Sequence, residues 1–350
     1  MFWQSYTILN FLIMDGRNMA AIELTQLTKK FDKLTAVDKV DLTIEKGELF
    51  GLLGPNGAGK TTMISMLCTI LKLTSGSAKV WDHDIVKAQD SVRKSIGIVF
   101  QDQSLDDNLT GTENMQFHGR LYKVPKKIMN ERMNELLLLM ELVDRKDDLV
   151  KTYSGGMRRR LEIARGLLHH PKILFLDEPT LGLDPQTRRH IWEYIKKLNE
   201  TEGVTMLLTT HYMEEADYLC DRIAIIDNGK IVVLDTPTNL KKTLGGDVIS
   251  LSTSSKDEKL KEDLLKIENV TTVDFVKDAI RLTSPRGETL IPKAMDIMRD
   301  HNVEVKSVSL HAPTLEDVFI KYTGHRLRDE GEGKKGQLKR GLGHRRRLHR

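Results

Sequence analysis

A glycine-rich octapeptide, Gly54–Thr61 (GPNGAGKT), constrains the fold of this chain more than any other feature. It satisfies the pattern G-x-x-x-x-G-K-[ST], follows the apolar segment Glu48–Leu53, and leads into a segment with helical character that begins at Lys60. Because glycine tolerates positive φ, successive N–H groups can turn inward around phosphate oxygens, and the helix N-terminus adds its dipole. The sequence therefore predicts a strand–loop–helix unit that binds nucleotide phosphates.

The side chains of this loop have separate expected roles. Lys60 is expected to reach the β- and γ-phosphates, and the Thr61 hydroxyl is expected to ligate Mg²⁺. Thr62 offers a second hydroxyl near the α-phosphate. The other expected contacts come from the loop residues Gly54, Pro55, Asn56, Gly57, Ala58 and Gly59. The alternative interpretation is a glycine turn in front of a purely structural helix.

Two adjacent carboxylates follow a second apolar segment. Ile173–Leu176 (ILFL) reads as a buried parallel strand, and Asp177 and Glu178 come directly after it. Ligands of open α/β sheets bind at the carboxyl ends of the strands, so this end is expected beside the phosphate loop. Asp177 then suits Mg²⁺, through a water molecule, and Glu178 suits activation of an attacking water as general base. The alternative is a solvated strand end without chemistry.

The remaining pattern predicts the architecture. Strands alternate with helices after residue 90, which is typical of an α/β core, and Gly245-Gly246 marks a boundary before shorter elements over 248–323. We predict an N-terminal extension at 1–18, an α/β P-loop NTPase core at 19–245 with a helical subdomain at about 103–170, a small C-terminal α+β domain at 246–324, and a disordered basic tail at 325–350. We also predict a helix over Leu161–His169 and a strand over Val303–Leu310.

A further motif supplies a family resemblance. Tyr153–Met157 (YSGGM) resembles the LSGGQ signature of ABC ATPases, and it precedes the Asp177–Glu178 strand by a short helix, as in that family. Met157 replaces the usual glutamine and Tyr153 the usual leucine, but the Ser154-Gly155-Gly156 centre is present. The resemblance implies that this centre contacts the γ-phosphate.

Four other positions fit the same family, over about residues 20–240. Gln101 follows a predicted strand as the Q-loop glutamine does, Asp184 lies in a segment similar to the D-loop, His211 follows a strand as the switch histidine does, and Phe31 lies where an aromatic residue stacks on adenine. The resemblance implies ATP and Mg²⁺ as cofactors, with Gln101 as a metal ligand and with Gln101 and His211 acting beside Glu178 in hydrolysis. Alone, each of these residues also fits a structural role.

The subfamily and its partners follow from two longer stretches. Leu105–Pro125 and Ala312–Gly324 resemble segments of daunorubicin-resistance-type exporter ATPases. The resemblance implies that two such subunits pair head to tail, with ATP between the phosphate loop of one and the signature of the other. It also implies a separate integral membrane permease, a location at the cytoplasmic face of the membrane, and export as the direction of transport.

Two alternative functions remain open from the sequence. An ABC-type ATPase acting on ribosomes usually carries two ATPase domains, and one acting on DNA carries long coiled coils between phosphate loop and signature; this chain has one domain and no such insertion. A nucleotide-binding regulator without turnover is the second alternative, and the presence of Glu178 and His211 argues against it.

Composition restricts the partners further. The net charge is +4, but 325–350 contains ten of the 54 Lys and Arg residues and only three of the 50 Asp and Glu residues. The body is thus close to neutral, which argues against nucleic-acid binding, while the tail could attract an anionic membrane surface.

Ile8–Met14 is too short to span a bilayer and is not preceded by the basic segment of a signal peptide. Cys68 and Cys220 suggest neither a metal cluster nor a disulfide framework.

Overall fold

The computed structural model of the chain describes residues 20–253, 257–276 and 279–324. The strands are β1 (Ala20–Phe31), β2 (Leu34–Glu45), β3 (Leu49–Leu53), β4 (Ser75–Val80), β5 (His83–Asp84), β6 (Ile96–Val99), β7 (Ile173–Asp177), β8 (Thr205–Thr210), β9 (Arg222–Asp227), β10 (Lys230–Asp235), β11 (Asp247–Ser252), β12 (Thr272–Val276), β13 (Ala279–Ser284) and β14 (Ser307–His311). The α-helices are α1 (Lys60–Leu67), α2 (Gln89–Ser95), α3 (Gly111–Leu121), α4 (Lys126–Leu139), α5 (Gly155–Leu167), α6 (Pro185–Glu202), α7 (Met213–Leu219), α8 (Pro237–Lys242), α9 (Glu258–Leu265), α10 (Gly287–Asp300) and α11 (Leu315–Thr323).

The strands form three sheets with the orders β2-β1-β4-β5, β10-β9-β3-β8-β7-β6 and β12-β13-β11-β14. In the six-stranded sheet, β3, β7 and β8 are buried along their whole length. Such strands read as continuous apolar runs because both of their faces are covered. The predicted strands at Glu48–Leu53, Ile173–Leu176 and Thr205–Thr209 are therefore confirmed.

The parallel pair β6 and β7 places two of the predicted loops side by side. Ile96 is opposite Ile173 and Val99 is opposite Leu176. Gln101 and Glu178 each come two residues after the last of these paired positions. The register therefore brings the loop that begins at Gln101 next to the acidic end of β7.

A glycine contact joins β6 to α5. A Cβ atom on Gly97 would lie 2.2 Å from the carbonyl oxygen of Gly166, which is closer than any side chain tolerates. The backbone of the strand thus lies directly against the backbone of the helix. Only glycine at position 97 permits this approach.

The predicted helical subdomain contains α3, α4 and α5, with two short 3₁₀ turns between the last two. Thr110 begins α3 with a capping box, in which its side chain accepts from Glu113 N and Glu113 Oε2 accepts from Thr110 N. Arg132 on α4 is buried and binds Glu202 at the end of α6 through two hydrogen bonds of 3.0 and 2.6 Å. These contacts fix α4 against α6.

The C-terminal elements form a second core. The sheet β12-β13-β11-β14 packs on α9 and α10 through apolar side chains that include Leu251, Leu264, Leu282 and Met298. The predicted small α+β domain thus has its own sheet and helices. The predicted strand at Val303–Leu310 is shorter and shifted, because residues 303–306 precede the pairing of β14 with β11.

The chain separates into two compact units, one within Met1–Phe50 and Thr61–Leu208 and the other within Gly51–Lys60 and Thr209–Arg350. The predicted boundary after residue 245 stays a prediction. Across the described ranges, no helix combines the length and apolar character needed to cross a bilayer. The predicted extension at 1–18, with its segment Ile8–Met14, and the predicted tail at 325–350 lie outside the described residues.

Candidate active site

The phosphate loop begins where β3 ends. Gly54 N donates to Thr210 O at 3.2 Å, and a Cβ on Gly54 would lie 2.3 Å from Ile226 O. Gly57 and Gly59 have φ values of 87° and 108°, which other residues rarely adopt. The loop therefore needs glycine at 54 for close packing and at 59 for its turn, as the motif predicts, and it has a further glycine turn at 57.

Lys60 is folded back into this loop. It is only 4% exposed, and its Nζ donates to Gly54 O at 2.6 Å and to Pro55 O at 3.2 Å. A cation and several backbone N–H groups are thus collected at the N-terminus of α1. This chemistry fits a phosphate group, because buried positive charge is stabilised by an anion.

Thr61 and Asp177 meet beyond the loop. The Thr61 hydroxyl lies 3.2 Å from Asp177 Oδ1, and Asp177 is 2% exposed. One hydroxyl and one carboxylate suit Mg²⁺, which commonly takes one or two carboxylates and completes its shell with phosphates and water. In the described parts of the chain, no group of three or more His, Cys, Asp or Glu side chains is arranged to hold a metal ion. A Mg²⁺ ion at Thr61 and Asp177 would therefore need ligands from phosphate and water.

Glu178 has an unusual backbone. It is 5% exposed, and its φ of 49° lies in the left-handed region, which residues other than glycine seldom occupy. Its own carbonyl and that of Asp177 each accept a hydrogen bond of 3.2 Å from Arg159 Nη2. The Arg159 guanidinium thus holds the backbone at Glu178, the predicted general base.

Arg159 and Glu162 are site residues that sequence reasoning missed. Both are buried on α5, and Arg159 Nη1 lies 2.9 Å from Glu162 Oε2. The available signal was a charge pair at i, i+3 within Arg158-Arg-Arg-Leu-Glu162. That pattern is usually exposed, so it did not distinguish this pair from a solvated one.

The signature motif forms the N-terminus of α5. Ser154 is its N-cap and accepts from Met157 N at 3.2 Å. Tyr153, which replaces the usual leucine, is buried and donates its hydroxyl to Arg145 O at 2.6 Å. Tyr153 therefore attaches the start of the motif to the short 3₁₀ turn that contains Arg145.

The starts of α5 and α6 lie against each other. A Cβ on Gly156 would approach Thr187 Cγ2 to 2.5 Å, and one on Gly155 would lie 3.4 Å from Leu183 Cδ2. Asp184 is the N-cap of α6 and accepts from Thr187 N at 3.0 Å. Hydrogen bonds from the Thr187 side chain and N–H hold the pKa of Asp184 below its usual value. The structure thus groups the signature with the segment similar to the D-loop.

The other predicted site residues occupy loops and turns. Gln101 is exposed just after β6, Thr62 is half-buried in α1, and Asn56 and Gly57 are exposed at the tip of the phosphate loop. Phe31 is 43% exposed at the end of β1, with Lys29 Nζ 4.8 Å from its ring centre. His211 follows β8 and its ring centre lies 4.1 Å from that of Tyr212. Their roles stay predictions.

Two family matches divide the chain. Residues 37–181 match the family described as "ABC transporter", and residues 236–323 match "ATP-binding protein DrrA1-3-like, C-terminal domain". The first range contains the phosphate loop, the signature and Asp177-Glu178. The second contains the C-terminal sheet and its helices.

Curated relatives match nearly the whole chain. It is 41% identical to the daunorubicin/doxorubicin resistance ATP-binding protein DrrA of Streptomyces peucetius, over 89% of this chain and 95% of the relative. It is 38% identical to the linearmycin resistance ATP-binding protein LnrL of Bacillus subtilis, over 88% of this chain and 100% of the relative. The alignments therefore cover most of this chain and nearly all of each relative.

Solved structures agree in fold. CbiO1 from Clostridium perfringens, part of an ABC transporter complex, aligns with a TM-score of 0.60 and 28% identity over 65% of this chain and 93% of its own. The dimeric post-hydrolysis state of the ATP-binding cassette MJ0796, bound to ADP and Pi, aligns with a TM-score of 0.55 and 29% identity over 61% and 98%. The predicted P-loop NTPase fold is confirmed, and the chain belongs to the ATP-hydrolysing, nucleotide-binding subunits of ABC transporters.

Proposed function

We propose that this chain hydrolyses ATP where Thr61, the last residue of the phosphate motif, meets the end of β7, and that hydrolysis drives export through a separate membrane permease. The observation that carries the proposal is the 3.2 Å contact between the Thr61 hydroxyl and Asp177, with Glu178 next in the chain. A nucleotide phosphate, a hard cation and a general base need this arrangement of groups.

Each residue of the site has a proposed part in the reaction. The loop N–H groups and Lys60 hold the phosphates, while Thr61 and Asp177 hold Mg²⁺, with Gln101 as a further ligand. Mg²⁺ neutralises the charge of the β- and γ-phosphates when it is bound. Glu178 accepts a proton from the attacking water. His211 orients the γ-phosphate, and Phe31 stacks on adenine.

The second half of each site is proposed to come from another copy of the chain. Ser154 and Gly155 are exposed at the N-terminus of α5, a helix of 13 residues whose first N–H groups and dipole favour an anion. A dimer is typical of the family, and the cassette MJ0796 is a dimer in its solved structure. We therefore propose a homodimer in which ATP lies between the phosphate loop of one protomer and the signature of its partner.

Export is the proposed direction of transport. Several relatives are named for resistance to daunorubicin, doxorubicin or linearmycin, and another, 36% identical, is a Nod factor export ATP-binding protein of Ralstonia nicotianae. Export removes a compound from the cytoplasm, and such removal would confer the resistance for which the other relatives are named. The proposed location is the cytoplasmic face of the membrane, where a permease holds the subunit.

Purification of the full-length chain from its own host tests the proposal. We expect Mg²⁺-dependent ATP hydrolysis that chelation abolishes, and an integral membrane protein that co-purifies with the chain. Loss of that membrane protein, and separately of this subunit, should raise the cellular retention of the same compound. Retention that falls in both strains would contradict export and favour uptake.

The basic tail is a separate proposal. Residues 325–350 lie outside the described residues, but their ten basic side chains could each contribute about 1 kcal/mol of attraction to an anionic leaflet. Sedimentation with anionic and with neutral vesicles should compare the full chain with a form that ends at residue 324. Equal sedimentation of the two forms with anionic vesicles would rule out this role.

A further inference from the structure

We propose that Arg159, with Glu162 as its counterion, is a positioning residue for hydrolysis. It fixes the loop that begins at Gln101 against the end of β7, where Asp177 and Glu178 lie. The inference rests on the proposed roles of Gln101 and Glu178. It adds that a buried residue of α5 sets the geometry between them.

The hydrogen bonds of Arg159 use every donor of its side chain. Nε donates to Pro179 O at 2.5 Å, Nη1 donates to Phe100 O at 2.6 Å and to Glu162 at 2.9 Å, and Nη2 donates to Asp177 O and Glu178 O at 3.2 Å each. A guanidinium has five N–H donors in a fixed plane. Apart from Glu162 on the same helix, the acceptors are carbonyl groups at the carboxyl ends of the neighbouring parallel strands β6 and β7.

Glu162 extends the same connection along the first loop. Its Oε1 accepts from Ser104 N at 2.8 Å, while its Oε2 accepts from Arg159. Arg165, one turn further along α5, donates to Ser104 O at 2.7 Å. The loop is therefore attached to α5 at both Phe100 and Ser104, with Gln101 between these two anchors.

The hydrogen bonds of Arg159 matter for hydrolysis because they hold the unusual backbone of Glu178. A glutamate at a φ of 49° is retained only where the surroundings hold it there, and such positions are common at functional sites. Arg159 binds the carbonyls of Asp177, Glu178 and Pro179, which are the three peptide groups around this position. The direction of the Glu178 side chain therefore depends on the guanidinium.

Arg160 provides the matched control. It is the next residue on the same helix and is partly buried, but its Nη1 donates to Met140 O at 2.8 Å and to Tyr194 at 3.3 Å. It thus contacts α6 and the end of α4, and not the Gln101 loop or β7. Replacement by lysine at either position keeps the charge and removes the planar set of donors.

The test compares full-length wild type, Arg159→Lys and Arg160→Lys, each with and without Glu178→Gln. We expect Arg159→Lys to lower kcat by about 10²-fold, which is the loss that a misplacement of about 1 Å can cause, with little change in KM or in ADP affinity. In the Glu178→Gln background it should cause no further loss, because residues that act through one another are not additive. Amide exchange should rise in both 100–104 and 178–181 for Arg159→Lys and in neither for Arg160→Lys.

The outcomes separate this inference from the proposed function. Unchanged kcat and exchange in Arg159→Lys, or losses that multiply in the double variant, would show that Arg159 only stabilises the fold. If Glu178→Gln alone turns over like wild type, the proposed function itself is wrong. If Arg159→Lys does not fold, Arg159→Gln combined with Glu162→Gln removes both buried charges, and the same fall in kcat at constant KM is expected.

Discussion

The Thr61 hydroxyl donates to Asp177 Oδ1 at 3.2 Å, although 116 positions of the chain separate the two residues. An apparently minor hydrogen bond thus joins the end of the phosphate loop to the end of β7. Both oxygens are suited to a hard cation, so substitution of either residue tests the proposed Mg²⁺ site directly.

Asp177→Asn should weaken Mg²⁺ binding while nucleotide alone still binds. The amide removes the negative charge but keeps the size of the side chain. Loss of a charged contact of about 1.5–3 kcal/mol corresponds to roughly a 10–100-fold rise in the Mg²⁺ concentration needed for half-maximal hydrolysis. Asp217→Asn, at an ion pair with Lys241, is the control. A Mg²⁺ titration that Asp177→Asn leaves unchanged would show that the carboxylate is not a ligand.

Glu178→Gln should abolish turnover and keep ATP binding. Removal of a general base costs roughly 10²–10⁴-fold in rate. Single-turnover measurements with bound ATP separate hydrolysis from binding, and the exposed Glu193→Gln on α6 is the control. Hydrolysis by Glu178→Gln at the wild-type rate would exclude Glu178 as the base.

Shared sites predict complementation between two inactive variants. Lys60→Ala breaks the phosphate loop, and Gly155→Asp places a carboxylate where the γ-phosphate of the partner must approach. Position 155 is preferable to 156, because a side chain at 156 would collide with Thr187 whereas the nearest atom at 155 is at 3.4 Å. A mixed dimer keeps one intact site and should recover ATP-dependent pairing and some hydrolysis. Mixed dimers that form but never trap ATP would contradict head-to-tail pairing.

Acid should destabilise the chain through His118. Burial, and then Arg165 and His169, lower the pKa of His118 from 6.5 to about 3. The unfolded state therefore binds a proton between pH 6.5 and about 3 while the folded state does not, so stability is full above pH 6.5 and falls as the pH is lowered through this range. For a shift of this size, the loss at pH 5 is about 1–2 kcal/mol.

His118→Phe should flatten this pH dependence. The ring lies 4.8 Å from Tyr122 and 5.7 Å from His169, so an aromatic replacement keeps the packing. The free energy of unfolding by denaturant should be compared at pH 7 and pH 5, with the exposed His190→Gln as control. An equal loss of stability in wild type and His118→Phe would place the acid-sensitive group elsewhere.

Much of the site could be predicted because its residues carry distinctive local patterns. Gly57, Gly59 and Lys60 are required by the geometry of a phosphate loop, and Asp177 and Glu178 follow a strand too apolar to lie anywhere but in the core. The Asn228-Gly229 turn between β9 and β10 also follows a local rule, because this dipeptide favours positive φ at both positions. Each of these signals is contained within a few residues.

Other features depend on contacts that are distant in the chain. The helix predicted over Leu161–His169 begins six residues earlier, since Gly155–Arg160 has almost no apolar periodicity and is held by the Ser154 cap and by Arg159. Strand β4 (SGSAKV) has no apolar run and exists because it pairs with β1. Arg158, Arg159 and Arg160 look equivalent in sequence. In the fold, Arg158 pairs with Asp107, Arg159 donates to the Glu178 carbonyl, and Arg160 donates to the Tyr194 hydroxyl.

The contact between Gly97 and Gly166 has a mechanical consequence. Side chains packed between a helix and a strand form an adjustable layer, because they can change rotamer when one element moves. Here backbone meets backbone, so that layer is missing at this point. A rotation of α5 would therefore displace β6 directly at Gly97. The loop that contains Gln101 would move with α5 as well, because it is attached to that helix at Phe100 and Ser104.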